Sequence, residues 1–183
     1  MQEVVMLGAD DVPDEPFRGP WGQRLHALTK IFAIAGGVGF IALVMMSIVS
    51  IVGRKLASAP IPGDIEIMQM GTAVASAAML AYCEMERHHL RVDFFTAKLS
   101  NQNKDRLDSL SHLLLALVAL LVAWRTGASA VSLKEAGESS MMLSWPVWTV
   151  VAAIVPSFVL LAMAGLYNMA VHWAASRNEG EQA

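Results

Sequence analysis

The side chains with chemistry to offer are few and widely separated in a sequence that is 55% hydrophobic and 16% charged. Glu66 is the one acid inside a predicted apolar span, about one turn from its start. A carboxylate at full membrane depth costs about 2.5–3.5 kcal/mol, so pairing with a base such as Arg54 or Lys55, or snorkelling to the surface, is expected. A proton or ion relay needs several intramembrane polar groups, and one shallow acid does not supply it. Among the histidines, His112 opens the third apolar span and His172 closes the fourth on the same side, as do His26 and the pair His88 and His89. A b-type haem held between His112 and His172 is therefore the alternative reading, although no histidine stands at mid-span. The lone Cys83 forms no internal disulfide, and one cysteine with scattered histidines makes no tetrahedral zinc site. The sequence has no nucleophile elbow and no P-loop. The AGGVG at 35–39 lies inside a hydrophobic helix, where it serves close packing, and the 12 methionines serve as soft packing residues. No catalytic group, metal or cofactor is expected.

The elements that carry these residues are four long stretches nearly free of charge, which predict an all-α integral membrane four-helix bundle. The first, Ile31 to Gly53, covers about 35 Å, enough for a tilted crossing. The second, about 65–83, is rich in small residues, among them Gly71 and Ala75, which let helix backbones approach where lipid supplies no hydrophobic drive. The third has its apolar centre at 109–124 inside a helical pattern running from 101 to 136, with Ser100 as N-cap and Gly137 as stop; at about 54 Å it must project beyond the hydrocarbon. The fourth, 146–172, begins at Pro146, a residue suited to a first helical turn, and contains Pro156, an expected kink. Trp145, Trp148, Tyr167 and Trp173 fall near its ends, where aromatic belts form.

The flanks set the direction. Residues 1–23 read as a loose lead that carries Asp10, Asp11, Asp14 and Glu15 before any long apolar run, unlike a signal peptide, and 176–183 read as a tail. Nine Lys and Arg lie in the lead, the 84–108 connection and the tail, against four in the other two connections, which places both termini in the cytoplasm. In the 84–108 connection, Asp93 can cap a short interfacial helix whose Phe94, Phe95 and Leu99 face lipid. A net charge of −3 without a basic run excludes nucleic acid as a partner. With no conduit but ample packing surface, the domain at 24–175 reads as an accessory to a larger membrane partner.

Three motifs, Arg54 followed by PIPGDIE at 60–66, HLRVDFF at 89–95 and AGESSMMLSWPVW at 136–148, resemble the small membrane subunit of the tripartite ATP-independent periplasmic (TRAP) transporters, over roughly 24–172. The resemblance implies a non-enzymatic brace in the bacterial inner membrane. It would hold a large multi-span subunit that takes up organic acids, delivered by a periplasmic binding protein, on an ion gradient. The coupling ion, usually sodium, would then belong to the large subunit. Carried onto this chain, it places Arg54, Pro62, Gly63, Glu66, Glu138, Ser140 and Trp148 at the periplasmic face and His89, Val92 and Asp93 at the cytoplasmic face. Trp145 departs from the family's usual aliphatic residue before the proline, and so does the acidic lead.

Overall fold

The computed structural model describes residues 20–57, 61–86 and 101–180, with side chains described at 20–56, 61–86 and 107–173. It is all-helical: α1 (Pro20–Ala57), α2 (Asp64–Met85), α3 (Asn101–Ala136) and α4 (Val147–Gly180). The expected interfacial helix, and with it His89, Val92 and Asp93, lies outside the described residues, as do Ser100, His88 and the first 19 residues.

Local sequence explains the boundaries. Pro20 opens α1, where its missing N–H is no loss. Gly63, at φ 73°, turns the chain into α2. Gly137, at φ 67°, ends α3, with its N–H donating to the Lys134 carbonyl and the Glu138 N–H to that of Leu133. Pro146 precedes α4 and its carbonyl accepts from both the N–H and the hydroxyl of Thr149.

Among the described residues, three helices are long and apolar enough to cross a membrane: Pro20–Leu56, Leu107–Ala136 and Val147–Trp173. The 22-residue α2 is not among them, and it lies between α1 and α4. The spatial order is α1, α2, α4, α3, with α1 and α3 sharing no packed interface. The helices thus form an open array in which α2 and α4 run parallel as neighbours, rather than a closed up-and-down ring.

Small side chains make these contacts. Ala75, Ala77, Ala78 and Ala81 of α2 are buried, as are Ala116, Ala119, Ala123 and Ala130 of α3. A Cβ built on Gly36 of α1 would stand 2.8 Å from the Ala75 carbonyl oxygen, and one on Gly71 would stand 2.7 Å from Leu43. Between helices in lipid the attraction is dispersion, which falls off steeply with distance, so backbone approach is what stabilises the array. Gly71 and Ala75, expected to let helix backbones approach, do so against Leu43 and Gly36 of α1.

Candidate functional site

Polar side chains gather at the two ends of the array. At the end where both helix turns lie, α2 presents two acids in its first turn, and they face different ways. Asp64 accepts from the Ser50 hydroxyl at 2.5 Å, from Arg54 Nη2 at 3.0 Å and from the Ile65 N–H at 2.8 Å, which binds the end of α1 to the start of α2. The Ser50 hydrogen bond, with the Ile65 N–H and the Arg54 charge, holds the Asp64 carboxyl below the usual carboxylate range against a desolvation that raises it.

Two residues on and about 200° around the helix, Glu66 points to the loop between α3 and α4 instead. It accepts from the Ser140 hydroxyl, from the Met142 N–H at 3.1 Å and from the Leu143 N–H at 3.3 Å. The expected basic partner is absent from this contact because Arg54 is engaged by Asp64. Converging N–H and O–H donors do the work of a counter-ion. The same loop is closed by the Ser140 N–H donating to the Trp145 carbonyl and by an isolated bridge between Ser139 and Pro146. Leu143 then packs on Gly63: a Cβ there would meet Leu143 Cδ1 at 1.8 Å. Glu138 joins the turn through its backbone, its carbonyl accepting from the Val147 N–H. Lys134 Nζ stands 5.1 Å above the Trp148 ring, a cation–π contact. Of the motif residues, Arg54, Pro62, Gly63, Glu66, Glu138, Ser140, Pro146 and Trp148 thus belong to one connected region.

The opposite end holds a cluster that the hydropathy reading missed. Glu84, assigned from sequence to the connection after the second span, is inside α2 and 0% exposed. His112 Nδ1 of α3 lies 2.6 Å from Glu84 Oε1, and the Asn168 amide of α4 donates to the Glu84 carbonyl at 2.7 Å. Two residues on, at the C-cap of α2, Glu86 Oε1 lies 2.7 Å from His26 Nε2 of α1. The last turn of α2 therefore binds all three other helices. The signal was present in CEMERHH, where two acids two residues apart occupy different helix faces, each able to take a histidine from another helix.

The His112 and His172 rings stack with centroids 5.3 Å apart and planes 12° from parallel. Bis-histidine ligation needs two ring nitrogens aimed at one iron from opposite faces of a porphyrin. Rings laid face to face at this distance, one of them bonded to Glu84, give the haem reading no support.

A groove of about 760 Å³ runs between α1, α2 and α4, with Glu66 and Ser140 in its lining and Gly39, Met46, Val74 and Ala153 among its apolar walls. Glu66 is the one ionisable group in that lining and it is committed to the loop. The arrangement can brace helices against each other at both ends; the described residues offer no chain of polar groups between them.

Among the described residues, polar side chains tie the helices of an all-helical, membrane-type array together at both ends. The family model "Tripartite ATP-independent periplasmic transporters, DctQ component" matches residues 41–175, and the chain belongs to that family. Comparison with curated proteins and with solved structures gave no match.

Proposed function

We propose that the chain is the small membrane subunit of a TRAP-type secondary transporter, a brace for the large subunit that moves the substrate. The observation that carries this reading is the pairing of a transporter-component family with an array whose polar groups are committed to its own helix ends. A subunit built this way holds a partner in place and leaves substrate and coupling ion to it. In the full reading, a periplasmic binding protein delivers an organic acid, the large subunit takes it up by symport, and sodium is the coupling ion. The chain sits in the bacterial inner membrane with α2 as a fourth crossing, which its length of about 33 Å permits. Both termini face the cytoplasm, so the Glu66 end is periplasmic and the Glu84 end cytoplasmic.

The test is affinity purification of the tagged chain from membranes in which it is expressed with the large subunit of its own system. Recovery of the two in fixed ratio is expected. A chain that is recovered alone, folded, from membranes containing the large subunit would contradict the reading.

A further inference from the structure

Arg125 was expected to lie beyond the apolar centre of the third span, in the connection that follows it. The packing of α3 on α4 places it elsewhere. Ala116 Cβ stands 3.1 Å from a Cβ built on Gly165, and Lys134 lies over Trp148, so α3 follows α4 over this whole stretch. Arg125 is nine residues from each of these two anchor points, or about 13.5 Å of helix rise, which sets it near the Pro156 turn of α4. From His112 to Lys134 the helix rises about 33 Å, close to the thickness of a hydrocarbon core, with Arg125 well inside it.

Arg125 is exposed and has no ion pair among the described residues. A guanidinium facing lipid at this depth is costly, and the rise to the level of Lys134 exceeds what its side chain can span by snorkelling. The face it shares continues as Leu114, Val118 and Leu121 on one side and as Ala128 and Ser132 on the other, all exposed. The described acids all sit toward the ends of the array: Asp64, Glu66, Glu135 and Glu138 at one, Glu84, Glu86 and Asp108 at the other. A second copy of this chain set alongside at the same depth therefore offers Arg125 no carboxylate among the described residues.

We infer that the Arg125 face of α3 is the docking surface for a transmembrane helix of the large subunit that presents a carboxylate, or the carbonyl end of a broken helix, at mid-depth. The inference rests on the reading of this chain as a small subunit and specifies which surface it uses. Small residues on the Lys134 side admit the partner backbone, and the guanidinium fixes depth and register by bidentate hydrogen bonding.

The experiment uses the full chain expressed with its large subunit. A photo-crosslinking residue at Ala128 is expected to give an adduct with the large subunit. Arg125→Met is expected to reduce co-purification at least tenfold, and Arg125→Lys to retain a substantial part of it. The chain carrying Arg125→Met, purified alone, is expected to unfold at the wild-type temperature or above, which separates a lost contact from a lost fold. Wild-type co-purification of Arg125→Met, a fall in that unfolding temperature, or an adduct only with lipid or with a second copy, would overturn the assignment. Failure of the wild-type chain itself to capture the large subunit would instead overturn the small-subunit reading.

Discussion

Single residues at the two ends of the array do different jobs. Asp64 responds to acid. Its pKa is lowered on folding, so its contribution to stability is fully present above the ordinary aspartate value and is lost as pH falls through the lowered one. Acidification below about pH 4 is expected to lower the unfolding temperature of the detergent-solubilised protein, and less steeply for Asp64→Asn. At the other end Glu84 is sealed from solvent and holds both His112 and Asn168. Glu84→Ala removes the partner of His112, while Asn168 keeps the backbone carbonyl, and is expected to cost roughly 1–3 kcal/mol in reversible unfolding. Glu84→Gln, which keeps an acceptor oxygen in place, should cost clearly less; equal losses would mean that packing rather than hydrogen bonding holds this cluster.

At the scale of elements, the close approach of α1 to α2 depends on two positions without bulk, Gly36 against the Ala75 carbonyl and Gly71 against Leu43. Ala75→Leu is therefore expected to splay these helices within the chain, seen as a lower unfolding temperature of the isolated protein before any partner is added. Gly63 combines a positive φ with the Leu143 contact, so Gly63→Ala should undo the docking of the two turns at a cost of about 1–3 kcal/mol. The four helices and Gly137 as a stop were legible in the sequence because hydropathy and helix-ending glycines are local signals. The spatial order α1, α2, α4, α3 was not, because small residues mark a close contact without naming the helix across it. Glu66 was singled out as an acid in need of a partner, but its partners come from a loop more than 70 residues away and are mostly backbone N–H groups, which leave no side-chain signature. Glu84 escaped because a hydropathy window ends a span at its first charge, whereas an acid matched by a histidine on a neighbouring helix can remain inside.

For the whole molecule, the open array leaves long apolar faces on α1 and α3, including Ile41 and Val38 on one and Leu117 and Val118 on the other. Such faces suit lipid or a larger membrane protein, and membership of the DctQ component family favours the second for at least one of them. The central claim is that the chain braces a transporter and transports nothing itself. Its most direct test is uptake of a labelled organic acid substrate into proteoliposomes in which the binding protein, the large subunit and this chain are omitted one at a time. Uptake is expected only when all three are present and a sodium gradient is imposed, with no flux through this chain alone; gradient-driven uptake by this chain alone, or full activity without it, would contradict the account.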